Sequence, residues 1–512
     1  MRTLFNMRTL SKTAVPPIAT LAAIAFLFSV ASPAAEAAPA ITDQSISDKI
    51  DDELLWDPGV ISTRVDVHTS DGIVTLTGSV SHLLAKERAA RVAETVKGVR
   101  AVINRIEVSP SVTRADAQVR RDVEAALRED PATDSYKIAT SVAQGEVTLT
   151  GTVDSHRSRE LAKTVAKGVR GVRSLDDRLD VDYRTDRTDS EIEEEIRQSL
   201  HWNRHVDHYL VDVAVSNGTA ALSGTVGSAA EKRIAESDAW VAGVTSVDTS
   251  QLSVQGWARD EKLRGDKYVV KSQDELREAV DDALMKDPRV LSFDVDVDVT
   301  GNTVTLRGEV DNLQAKRVAG QNAKNTVGVS RVDNRLKVRP GSWRDDSLVA
   351  EDIRRAMLRD PYIERFEVTV AVTDGTAHLY GAVDSYFERR RAHDVASRVR
   401  GVLDVENHLT VDYDTAFIGS PYVDDTISDD ELIRYERRSP GKTDRQIKDS
   451  IESQLWWSPF VTSDQVNVAV DNGVATLTGV VDTPGERRAA TDNAYQGGAT
   501  LVENNLVVDH EG

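Results

Sequence analysis

The side chains able to do chemistry are few in this 512-residue chain. His201, His205 and His208 are the one local cluster among its ten histidines. A metal site needs ligands that converge and are held by outer contacts. These three occur in one copy of a repeat whose other copies lack them, which reads as surface histidines. Asp294, Asp296 and Asp298 alternate, so on a strand they share one face. They lack the glycine and terminal glutamate of a calcium loop, and the expectation is a solvated strand face. The absence of cysteine excludes thiol nucleophiles, thiolate metal sites and disulfides. No G-x-S-x-G or Walker phosphate loop is present. The expectation is therefore no catalytic residue, no metal and no cofactor.

Two sets of residues say more, because each recurs at one position of an internal repeat. Trp56, Trp202 and Trp457 share a position that holds Glu129, Lys286 and Arg359 in the other copies, and Trp456 precedes Trp457. A site that takes acid and base alike is expected to be exposed. Tryptophan there points to a membrane interface or a partner, or to packing on a neighbouring repeat. The second set is Lys86, Arg159, Lys232, Lys316, Arg389 and Arg487, basic in every copy, with Arg389-Arg390-Arg391 forming a local cluster. These are candidate contacts to phosphate or carboxylate on lipid headgroups or envelope polymers. The alternative is an internal ion pair to the acidic first helix or hairpin, since a cation at a helix start opposes the dipole.

The elements behind these positions follow from the repeat. Asp71-Gly72 and the run Ile73 to Val80 read as a tight turn entering a half-buried strand. The run recurs with its second glycine at Gly78, Gly151, Gly224, Gly308, Gly381 and Gly479, spaced 73, 73, 84, 73 and 98 apart. Before each lies an amphipathic helix with an i, i+4, i+8 stripe, as in Ile46, Ile50 and Leu54. Pro58, Pro131, Pro288, Pro361 and Pro459 stop that helix, and the third copy has Arg204 instead. After the hairpin comes a helix with alanines four apart (Ala89/Ala93 and equivalents), ending near Gly98, Gly171, Gly243, Gly328, Gly401 and Gly498. A third strand closes the unit. The predicted class is α+β: six tandem α-β-β-α-β modules, each a small three-stranded mixed sheet covered on one face by two helices.

The pattern Val-Thr-Leu-Thr-Gly-x-Val, alanine-rich helix, Gly-Val and closing Val-x-Asn-x-Leu/Ile-x-Val resembles the BON domain, named for bacterial osmotic-stress and nodulation proteins. Val102 to Val108 and Val332 to Val338 carry the closing motif best, and Val405 to Leu409 matches too. The third copy departs with Thr249-Ser250, and the sixth with Gly497-Gly498-Ala499 and Glu503-Asn504-Asn505-Leu506. The resemblance covers about six-sevenths of the chain beyond its leader. It implies modules that are periplasmic or envelope-associated, linked to osmotic stress and proposed to bind phospholipid surfaces. It implies no catalytic residues.

The remaining expectations concern boundaries and partners. Residues 1–37 read as a signal peptide, with Arg2, Arg8 and Lys12, an apolar run, and Ala35-Glu36-Ala37 as cleavage site. Modules are expected at 42–109, 115–183, 188–254, 272–339, 346–413 and 443–510, with linkers at 255–271 and 414–442. The second linker is long and acidic and is expected to hinge the sixth module away from the rest. A net charge of −21 argues against nucleic acid as a partner. No transmembrane segment is expected after the leader. The function expected is non-catalytic, multi-module binding of envelope lipid or envelope protein through several weak sites. The alternative is a chaperone-like protector of exported proteins.

Overall fold

The computed structural model describes residues 41–60, 64–133, 137–183, 187–259, 270–290, 294–363, 368–411, 442–481 and 484–508. The expected signal peptide, residues 260–269 of the first linker and all but the last residue of the second lie outside them. Among the described residues, no helix is long and apolar enough to cross a membrane.

The first module sets the pattern. It comprises α1 (Asp43–Trp56), β1 (Val65–Ser70), β2 (Ile73–Val80), α2 (Leu83–Glu94), β3 (Ala101–Asn104) and β4 (Glu107–Val108). β2 is central, antiparallel to β1 and parallel to β3 and β4. The same mixed sheet, with its order of three, recurs five more times. The predicted α+β class is the observed one. Ile46, Ile50 and Leu54 are buried with Val74, Leu76 and Val80 of the central strand. The twelve alanines that recur four apart, from Ala89 and Ala93 to Ala490 and Ala494, are fully buried. A larger side chain there would push helix off sheet.

Three local devices recur among the modules. At the second glycine, Gly78 has φ +104, and a Cβ would sit 1.9 Å from the Arg64 carbonyl oxygen. Only glycine tolerates both the backbone and the approach. At the turn, Asp43 on the first helical residue accepts from the amides of Asp71 (2.8 Å) and Gly72 (2.9 Å). Asp116, Asp189, Asp346 and Asp444 hold the equivalent turns in the same way. The fourth module has Gln273 there and a reversed Gly301-Asn302 turn, with positive φ at the glycine alone. The other five carry positive φ at both central residues, which aims two amides at one carboxylate.

The third device is the closing asparagine. Asn104 donates to the Lys86 carbonyl (2.6 Å) and accepts from the Ile106 amide (3.1 Å), pinning the second helix to the last strand. Asn334, Asn407 and Asn504 do the same, so the divergent sixth copy keeps the function of the motif. In the second module Asp177 takes this place, accepting from Leu179 and pairing with Arg159 at 2.8 Å.

The clamp at the turn predicts a pH dependence. Backbone bonds from Gly72 and then Asp71 lower the Asp43 carboxyl below its ordinary value of 3.8. A depressed carboxyl contributes stability that is present above the unfolded value and lost as pH falls below it. Asp43→Asn is therefore expected to lower the urea midpoint at pH 7 and to flatten its dependence below about pH 4. Equal slopes in both proteins would reject the clamp.

Candidate functional site

The C-terminal end of a helix leaves carbonyl groups without helical partners. In three modules these ends are capped by another module, at the position that carries tryptophan. The Trp457 carbonyl accepts from the Lys97 amide (3.1 Å), that of Arg359 from Arg170 (2.6 Å), and that of Trp202 from Val327 (3.0 Å). The donors lie just before Gly98, Gly171 and Gly328, at the end of a second helix. The sixth module thus docks on the first, the fifth on the second, and the third on the fourth. The sixth module is not hinged away, and that expectation is corrected. Its docking depends on residues about 360 positions distant, which no local pattern announces.

Side chains reinforce the seams. Arg170 reaches the carbonyls of Asp360 (2.7 Å) and Ile363 (2.6 Å), and Arg359 pairs with Glu129. Lys49 reaches Gln454 at 3.3 Å, and Lys97 lies over the Trp456 ring at 5.2 Å. Arg204, which stands where other copies have proline, donates its amide to Asn325 (3.2 Å) and its guanidinium to Lys324 (2.6 Å). Proline has no amide to give, which explains the departure.

The predicted contact residues are therefore divided. Trp202 packs against the core of the fourth module and Trp457 against that of the first two. Trp456 stacks edge-on against Trp457 at 4.7 Å and is half-buried. For Trp202 and Trp457 the alternative, packing on a neighbouring repeat, is the one observed, because seams cover them. Trp56 remains 58 % exposed. The basic position faces inward, to the last strand rather than to the first helix. Arg159 pairs with Asp177, Lys232 donates to the Leu252 carbonyl (2.6 Å), Arg389 to Asn407 (3.1 Å) and Arg487 to Asn504 (2.9 Å). Lys86 and Lys316 are half-buried, and their carbonyls accept the closing asparagines. His201 and His208 approach at 3.2 Å, while Asp298 pairs with Arg307 on an exposed strand.

The modules meet around a cavity of about 1260 Å³ lined by all six. Twelve arginines and two lysines face it against ten carboxylates. A cationic lining inside a chain of net charge −21 is a reversal of sign. Much of that charge is tied into pairs such as Arg88–Asp57 and Arg391–Asp360. Arg157, Arg390 and Arg398 also line it, and their side chains form no hydrogen bond or ion pair with another described residue. Burial, and next the neighbouring Arg391, lower the pKa of Arg398 below the usual arginine range, against Asp394 and Asp130. Sequence reasoning had singled out Arg390 within its cluster but not Arg157 or Arg398. Arg157 and Arg390 lie on second helices and Arg398 caps the end of one, all at the cavity.

Six stretches, residues 42–110, 115–183, 188–256, 272–340, 345–413 and 443–510, match the BON domain. The chain belongs to the BON-domain family. It is also similar to the osmotically-inducible protein Y of Escherichia coli K12, 32 % identical over 133 residues. That match covers 25 % of this chain and 66 % of the relative, just under two thirds of its length. Two solved structures of CdsD, a structural protein of the type III secretion system of Chlamydia trachomatis, are 16 % and 15 % identical. They cover 40 % and 42 % of this chain and 91 % and 100 % of their own, each with a TM-score of 0.12. Six BON modules in one chain, paired as 1–6, 2–5 and 3–4, thus frame the candidate site.

Proposed function

We propose that this BON-domain chain is an exported, non-catalytic binding protein of the cell envelope, acting in osmotic or envelope stress. The ligand is anionic, of the phospholipid-headgroup type. The observation carrying this reading is the cationic cavity, where three guanidiniums make no hydrogen bond or ion pair with another described residue, in an otherwise acidic chain. A guanidinium whose N–H donors are not taken up is matched in charge and geometry to a phosphate. Likeness to an osmotically-inducible protein supports the stress setting. Because seams occupy Trp202 and Trp457, one shared site replaces the expected string of equivalent weak sites.

Co-sedimentation with phosphatidylglycerol and phosphatidylcholine vesicles tests the proposal. The expected result is selective binding to the anionic vesicles, weakened at least about tenfold when Arg157, Arg390 and Arg398 are changed together to glutamine, each charged contact being worth about 1.5–3 kcal/mol. Absence of binding to any anionic vesicle would end the lipid reading. A second reading, protection of unfolded exported proteins, rests on the exposed Trp56, Trp257 and Trp343, at 58 %, 58 % and 70 %. Suppression of client aggregation that is lost in Trp56→Ser, with vesicle binding absent, would favour it.

A further inference from the structure

The outer sheet face of the fifth module carries a side-chain set that the other modules lack. His378 lies on the central strand, Thr376–Val383, and Glu406 on the neighbouring strand, Asp404–Asn407, where the two are paired in register. His408 follows, its amide bonded to the Leu379 carbonyl at 2.8 Å. The flanking Ala377 and Leu379 are buried toward the helices, so His378 points to the opposite face.

The donor atoms converge. His378 Nδ1 lies 3.1 Å and His408 Nε2 lies 3.3 Å from the same oxygen of Glu406, and all three atoms are within 4.8 Å of one another. Two imidazoles and a carboxylate around a tetrahedral zinc, with bonds of about 2.0–2.1 Å, have donors about 3.3 Å apart. The rings are nearly parallel, His378 to His408 at 7° and Tyr380 to His408 at 10°, the latter stacked at 4.9 Å. The His378 Nδ1 atom is shielded from water and, despite its approach to Glu406, makes no aligned hydrogen bond. A divalent cation seated between the ring nitrogen and the carboxylate oxygen would satisfy both.

The internal comparison sharpens this. At these three positions the second module has Thr148, Asp176 and Arg178, and the fourth has Thr305, Asp333 and Arg335. There the acid is neutralised by the arginine, at 2.7 and 2.6 Å. The fifth module replaces the arginine with a second imidazole and the threonine with a first. It exchanges a built-in cation for ligand lone pairs.

We propose that His378, Glu406 and His408 bind one divalent transition-metal ion of the class that takes imidazole, Zn²⁺ or Cu²⁺. Two nitrogens and one oxygen suit either ion and leave coordination positions open, with Cu²⁺ the tighter by the general order of affinity. None of the three lines the central cavity, so the site is independent of the anion reading.

Untagged full-length chain, stripped of metal, is titrated calorimetrically with Zn²⁺ and separately with Cu²⁺, and the Cu²⁺ form is examined by electron paramagnetic resonance. The expected result is one ion per chain with nitrogen coupling from imidazole. His378→Thr and His408→Arg each install the residue that the second and fourth modules fold with, so the fold is retained. Each should weaken binding by at least about tenfold, the effect that loss of even an outer-shell partner produces. His201→Asn, which breaks up the other close histidine pair, should leave binding unchanged. The proposal is overturned by the lack of saturable one-to-one binding of either ion. It is equally overturned by binding that survives both fifth-module variants or that is lost in His201→Asn.

Discussion

Asp57→Ala is expected to destabilise the first module by about 3–5 kcal/mol, the cost of stranding a buried charge. Asp57 caps the end of α1, holds the Gly59 amide at 2.9 Å, and receives two bonds from Arg88 at 2.6 and 2.9 Å. The side chains of both are almost wholly buried, at 3 % and 2 %. Arg88 also lies over the Phe387 ring of the fifth module at 4.8 Å. Removing the carboxylate leaves a guanidinium in the contact between two modules. The double change Asp57→Leu with Arg88→Met is expected to recover most of the loss, since an apolar pair of similar volume replaces an ion pair at little cost. Urea unfolding of the three proteins gives the comparison. A loss below about 1 kcal/mol for the single variant, the value of an exposed pair, would contradict the burial.

The second large effect is acid-induced loosening. His82 sits between the first and fifth modules, edge-on to Tyr362 at 4.5 Å, with Nδ1 capping α2 through the Ala85 amide at 3.1 Å. Burial lowers its pKa to about 4, with Asp360 raising it and Arg391 and Arg170 lowering it further. His156 stacks on Trp240 of the third module at 3.7 Å. Burial likewise takes it to about 4, against Glu160 and Asp177, with Lys163 and Arg159 acting in the same direction as burial.

The sign follows from linkage. Unfolded histidine takes up its proton near pH 6.5, while the folded groups remain neutral until about pH 4. The unfolded state therefore binds more protons between these values, and stability falls with pH at about 1.4 kcal/mol per unit for each group. Asparagine occupies the His82 position in the fourth module as Asn312, also as a helix cap, and leucine occupies the His156 position as Leu83 and Leu313. The pair His82→Asn and His156→Leu is expected to remove most of the decline between pH 6.5 and 4.5. An unchanged pH profile would place the acid sensitivity elsewhere.

What the sequence made legible were features with short periods. The helix stripes, the turn and glycine of the hairpin, and the paired alanines each act within one module, and each stands where the repeat placed it. Asn104 was visible as a motif but not as the clamp between Lys86 and Ile106, because its partners are set by the crossover. The Asp43 clamp spans 28 residues and appears only as a coincidence of aspartate with an X-Gly turn. The seams left fainter marks. Arg204 in place of proline was such a mark, and its meaning needed the Asn325 carbonyl. Tryptophan at a position tolerant of any charge suggested exposure. The position proved instead to be where one module's helix end meets another, with Trp202 and Trp457 supplying apolar area there.

The six modules form one body around a shared cationic cavity, closed by contact between the first and the last. The chain has no native cysteine, so Lys49→Cys with Gln454→Cys places two thiols at that contact without background. A short thiol-to-thiol cross-linker is applied at dilute concentration, and the linked peptides are mapped. The expected result is efficient intramolecular linkage of residues 49 and 454 in the monomer, abolished by urea. Two thiols that each react singly but never join within one chain would contradict it.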